Sequence, residues 1–249
     1  MENMSNKRKR ILLTIFVLIF LAGLFLFLYP CIRGAYLEQR QRQQTQSFLA
    51  YLDDAAEEPT GSTDEAEDTS PLALLRKDME AYNEQIFEEN QVKFDSSAAY
   101  EQPSFLLSDY GLTDEVFAVL SIPALELEMP VYLGANTVNL SLGAAHMSQT
   151  SLPIGGENTN CVIAGHRGWQ GADYFLYITK LQPGDEVIVK NLWETLTYRV
   201  VSTKDISSRD TESILIQPGK DLLTLLTCDY GAGGTKYRFI VICERADAA

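Results

Sequence analysis

The chain has only two histidines, His146 and His166, among 249 residues, so any chemistry that depends on imidazole has two candidates. Four cysteines are too few for a disulfide scaffold, and no CxxC pair or His/Cys cluster offers a zinc site, so no metal or organic cofactor is expected. Basic residues are also scarce: 20 against 34 acidic ones give a net charge of -14, which argues against a nucleic-acid partner. No internal repeat is visible. Apolar side chains are not scarce, at 46%, and the length admits one or two globular domains.

The charge is unevenly spread. Lys7, Arg8, Lys9 and Arg10 precede a run from Ile11 to Tyr29 of 19 residues without a charge. As a helix that run is roughly 28 Å long, enough for a hydrocarbon core of about 30 Å. The basic cluster before it places the N-terminus in the cytoplasm and the rest outside. The run exceeds the apolar core of a signal peptide, so an uncleaved anchor is expected over a cleaved leader.

Residues 53–68 carry eight acidic side chains and no basic one, interleaved with Pro59, Gly61 and Ser62, which predicts a solvated, disordered spacer. Residues 35–52 and 71–91 have helical composition. In the second, Leu72, Leu74, Leu75, Met79, Tyr82, Ile86 and Phe87 form an apolar stripe expected to dock on the C-terminal region of the chain. From Val116 onward the pattern turns to short β-branched and aromatic runs broken by proline and glycine. Strands are expected at 116–122, 125–133, 161–165, 186–190, 195–205, 222–227 and 237–243, with one helix at 173–181. That pattern implies a mainly β barrel or sandwich.

Three strand ends carry chemistry. Cys228 closes the apolar run Leu222-Leu-Thr-Leu-Leu-Thr-Cys228, His166 closes Cys161-Val-Ile-Ala-Gly-His166, and Arg238 interrupts Tyr237-Arg-Phe-Ile-Val-Ile-Cys243. Singly, each has a plain reading as a buried thiol, a structural imidazole and a solvated strand residue. Together, a thiol, an imidazole and a guanidinium are the parts needed to attack an amide, protonate its leaving amine and stabilise an oxyanion.

Thr224-Leu-Leu-Thr-Cys228, ten residues before Arg238, resembles the Thr-Leu-x-Thr-Cys signature of sortases, the Gram-positive surface transpeptidases. Thr150-Ser-Leu-Pro-Ile-Gly-Gly-Glu-Asn-Thr-Asn160, continuing into Val162-Ile-Ala-Gly-His-Arg-Gly168, is similar to the histidine region of class C, pilin-type sortases. So are Ile122-Pro123 with Pro130-Val-Tyr132, Lys180-Leu-x-x-Gly-Asp185 and Pro218-Gly-Lys-Asp-Leu222.

The resemblance implies a closed eight-stranded β-barrel with short helices, preceded by a transmembrane helix and a helical and disordered stalk. The implied organisation is a basic tail at 1–10, the transmembrane helix at 11–30, a spacer with a possible lid at 31–100 and a catalytic domain at 101–249. It implies Cys228 as nucleophile, His166 as acid/base and Arg238 beside the scissile carbonyl. Beside them, Thr227 is expected either to shape the peptide groove or to be buried beside its strand, and Trp169 and Tyr230 either to line the groove or to pack at its rim. His146 matches a family position and is expected to be structural or at the rim. The implied substrates are proteins with a Leu-Pro-x-Thr-Gly-like signal, and the acceptor is a pilin lysine or a cell-wall peptide. Pilus assembly, housekeeping wall anchoring and an inactive sorting-signal scaffold are the alternatives.

Two stretches depart from the class C pattern. Lys93-Phe-Asp-Ser-Ser-Ala-Ala-Tyr100 lacks the proline that follows the aspartate of a class C lid, leaving Phe94 or Tyr100 for the aromatic position. The chain ends at Ala249 without a second apolar run, so one anchor is expected. Cys161 and Cys243 are expected as buried free thiols, with a disulfide open to them if their strands are neighbours.

Overall fold

The structure, a computed structural model, describes residues 2–57, 70–91, 100–113, 115–229 and 237–246. Most of the acidic stretch, the segment 93–99 and Tyr230 lie outside the described residues.

Helix α1 spans Glu2–Glu57 and includes Pro30. Residues 8–33 are exposed on every side, and this helix is long and apolar enough to cross a membrane. Beyond them one face is covered: Gly34, Leu37, Gln41, Thr45 and Phe48 are buried at helical spacing. Phe48 packs with Val116, Val119 and Tyr132 of the barrel. Helix α2 (Pro71–Glu88) starts on Ser70, whose Oγ accepts from the Ala73 amide at 3.2 Å, with Pro71 in the first turn. Its buried face is Leu75, Met79 and Asn83, narrower than the predicted stripe because Leu74 points to solvent. Asn83 Oδ1 accepts the Leu152 amide at 2.7 Å, so the helix docks through a polar contact as well as an apolar one.

The strands are β1 (Val116–Ile122), β2 (Leu127–Leu133), β3 (Ala144–His146), β4 (Thr159–Gly165), β5 (Arg167–Trp169), β6 (Ala172–Tyr174), β7 (Glu186–Asn191), β8 (Thr195–Ser207), β9 (Asp221–Asp229) and β10 (Tyr237–Arg245). Helix α3 (Thr137–Leu142) lies between β2 and β3, capped by Asn136, which accepts from the Asn139 amide at 2.9 Å. Eight strands close a barrel in the order β1-β2-β3-β4-β9-β10-β8-β7, and β5 and β6 form a separate hairpin. The predicted helix at 173–181 is not formed. Residues 172–174 are strand β6, and only Ile178–Lys180 makes a single 3-10 turn.

The barrel interior is filled by alternate residues of each strand, among them Leu223 and Leu225 of β9, Ile163 and Cys161 of β4, and Val241 and Cys243 of β10. Cys161 and Cys243 are free thiols. Each pairs in register with Leu223, from opposite sides of β9. Two strand spacings, roughly 9 to 10 Å, separate them, beyond the roughly 7 Å Cα reach of a disulfide.

A candidate active site at three strand ends

Strand β9 runs parallel to β4 on one side and antiparallel to β10 on the other. Arg238 stands directly opposite Cys228, and Gly165 opposite Thr227, so the next position after Gly165, His166, falls beside Cys228. Adjacent strands lie about 4.8 Å apart, which sets His166, Cys228 and Arg238 in one row with the thiol in the middle. Leu223 and Leu225 belong to the core, so the pleat turns Cys228 to the outer face of the barrel. Its cross-strand partner Arg238 shares that face. Cys228 and Arg238 are half-buried, and the Arg238 guanidinium donates to the Tyr237 carbonyl at 3.0 Å.

The intervening row holds the site together from the inside. Thr227 is fully buried, and its Oγ1 donates to the Gly165 carbonyl at 2.8 Å, tying the last residues of β9 and β4 to each other. Gly165 has no room for a side chain, because a Cβ there would lie 2.7 Å from the Phe175 ring. Thr227 therefore braces the two strand ends from within.

His166 is held by the β5–β6 hairpin. The Trp169 ring stacks on the imidazole at 4.5 Å between centroids and 13° between planes. Tyr174 meets it edge-on at 6.0 Å, and the Phe175 amide donates to the His166 carbonyl at 2.9 Å. Burial under these rings lowers the His166 pKa and favours the neutral imidazole. His166 Nε2 is buried and has no hydrogen-bond partner among the described residues. The hairpin turns at Gln170 and Gly171, with φ of 50° and 92°. The pair Gln170-Gly171 between Trp169 and Ala172 was the available hairpin signal, since two consecutive positive φ values favour a glycine in the turn. Tyr174 and Phe175 were missed with it.

His146 stands apart, fully buried at the end of β3. Its Nε2 lies 3.1 Å from the Ser151 carbonyl, which only accepts, so Nε2 carries the proton. Desolvation pushes its pKa down to about 4. It is a structural histidine.

A sortase-domain family model matches residues 120–246, half of the chain. The chain belongs to the sortase family. Sortases are cysteine transpeptidases. The chain is 33% identical over 132 residues to sortase A of Listeria monocytogenes, covering 53% of this chain and 57% of that one. It is 29% identical over 136 residues to sortase D of Bacillus subtilis, covering 53% and 65%. It thus spans less than two thirds of either relative. Among solved structures it is similar to sortase C-1 of Streptococcus pneumoniae, with 31% identity, a TM-score of 0.63 and coverage of 73% of this chain and 93% of that one. Sortase C1 of GBS pilus island 1 matches with 25% identity, a TM-score of 0.65 and coverage of 84% and 93%. The sortase domain takes in all three strand ends, from β4 through β10.

Proposed function

We propose that the chain is a membrane-anchored cysteine transpeptidase that cleaves a Leu-Pro-x-Thr-Gly-like sorting signal between Thr and Gly. The observation that carries the reading is the row of His166, Cys228 and Arg238 across three adjacent strand ends. The Cys228 thiolate adds to the threonine carbonyl carbon while the planar Arg238 fork faces the developing oxyanion. The carbon–nitrogen bond breaks, the His166 imidazolium gives its proton to the leaving glycine amine, and a thioacyl enzyme remains. An incoming amine attacks the thioester, its proton passes to His166, and the Cys228 thiolate is released. Burial of His166 lowers its pKa and favours its neutral form, so forming the imidazolium works against desolvation.

The acceptor is a pilin lysine in the leading reading, pilus assembly, which the likeness to sortase C structures supports. Wall anchoring, with a peptidoglycan-precursor amine as acceptor, is the near alternative, supported by the likeness to sortase A of Listeria monocytogenes. The apolar, exposed residues 11–29 of α1 support a single-pass anchor, with residues 1–10 inside and the barrel outside. On this reading residues 31–100 form the stalk and 101–249 the catalytic domain.

The test is deletion of the gene in its host. Loss of high-molecular-mass pilin polymers with monomers still wall-bound supports assembly. Shedding of many surface proteins into the medium supports wall anchoring, and no change in either contradicts both.

A further inference from the structure

Gly34 is buried in α1 only five residues beyond Tyr29, where the uncharged run ends. A Cβ on Gly34 would run into the carbonyl of Gly171, and a Cβ on Gly171 would run into the carbonyl of Pro30. Two main chains therefore meet with no side chain between them, and only glycine allows that on both sides. Gly171 is the tip of the β5–β6 hairpin, which grips His166 through Trp169 beside the turn, Tyr174 at its base and the Phe175 amide just after it.

Among the described residues the hairpin pairs with no barrel strand, so the sheet does not set its orientation. Its side chains pack on the core, with Ala172 and Tyr174 buried there, while the tip is held by the α1 contact and the base by the Tyr174 hydroxyl, which donates to the Ser141 carbonyl of α3 at 2.6 Å. We propose that Gly34 and Gly171 are positioning residues: their backbone contact clamps the hairpin and so fixes the His166 ring, making the full reaction rate depend on the docked helix α1. The inference rests on the transpeptidase reading of His166. It also ties the site to the end of the membrane span, because the hairpin tip lies against Pro30.

Gly34→Ala is the discriminating variant. Alanine is the better helix former, so α1 itself is not weakened, while the added methyl must push the helix and the hairpin tip apart. The full-length chain in lipid nanodiscs is assayed with a sorting-signal peptide and an amine acceptor. Trp169 emission is read in a Trp193→Phe background, which leaves one tryptophan. The expected result is a fall in kcat of about tenfold or more with KM little changed, and a change in Trp169 emission as the stack on His166 opens. Gly34→Leu should deepen both effects. Wild-type kcat and unchanged emission in Gly34→Ala would overturn the proposal, as would lowered stability with both readouts unchanged. If wild type forms no product with any peptide, the functional reading falls, and Trp169 emission alone still decides whether the contact holds the stack.

Discussion

Cys228 and Arg238 stand directly opposite each other across β9 and β10, so a thiol and a guanidinium share the outer face of the barrel as immediate neighbours. Their separation is fixed by the ladder rather than by a loop. Arg238→Lys keeps a charge but loses the planar fork. A transpeptidation rate about 10²-fold below wild type is expected, close to that of Arg238→Ala, with the same peptide KM within a few-fold. A lysine variant of near wild-type rate would remove the directional role of the guanidinium.

Gly165→Ala forces a methyl into the Phe175 ring at the foot of His166. Overpacking should cost about 1 to 3 kcal/mol of stability and displace the imidazole. The urea midpoint and the peptide turnover should therefore fall together.

Thr227→Val keeps the shape of a buried side chain but removes the donor to the Gly165 carbonyl. A loss of about 1 to 2 kcal/mol is expected in chemical denaturation, with reduced turnover from the folded fraction. Full activity with reduced stability would confine Thr227 to folding.

Trp169→Ala uncovers His166, whose pKa is lowered by burial. Exposure should move it upward, toward the ordinary histidine value. The low-pH limb of the activity profile should shift to higher pH in this variant, and an unshifted limb would dissociate the stack from the titration.

His146 makes a pH-dependent contribution to stability. Its folded pKa is about 4 against an ordinary 6.5, so as pH falls through 6.5 the unfolded chain takes up a proton the folded chain refuses. Stability is unaffected at pH 7, declines between about 6.5 and 4, and has lost about 3 kcal/mol from this residue below that window. His146→Gln should be less stable at pH 7 yet show a shallower decline. The comparison of urea midpoints at pH 7, 5.5 and 4.5 checks both signs.

The barrel strands that carry the site were legible because they are long apolar runs ending at chemically distinct residues. The runs 116–122 and 222–227 were placed within two residues of β1 and β9. Strands β3 and β5 were not seen, since three residues carry no period, and the end of β6, residues 173–174, was read as the start of a helix. Phe175, Ile178 and Leu181 repeat every third residue, as a helix face does, and all three enter the core, but only Ile178–Lys180 makes a 3-10 turn. The docked face of α1 escaped notice for a different reason. Gln41 and Thr45 are buried beside Leu37 and Phe48, so hydropathy alone does not mark that face. The family resemblance located Cys228, His166 and Arg238, whereas the hairpin that holds His166 depends on contacts between elements.

The most direct test of the central claim is intact-mass spectrometry of the full-length chain incubated with Leu-Pro-x-Thr-Gly peptides, with and without a lysine-bearing acceptor. The account predicts a thioacyl adduct on wild type, none on Cys228→Ala, and conversion of the adduct to ligated peptide when the amine is added. An adduct that persists in Cys228→Ala, or its absence from wild type with every peptide, would contradict the assignment of Cys228 as the nucleophile of a transpeptidase.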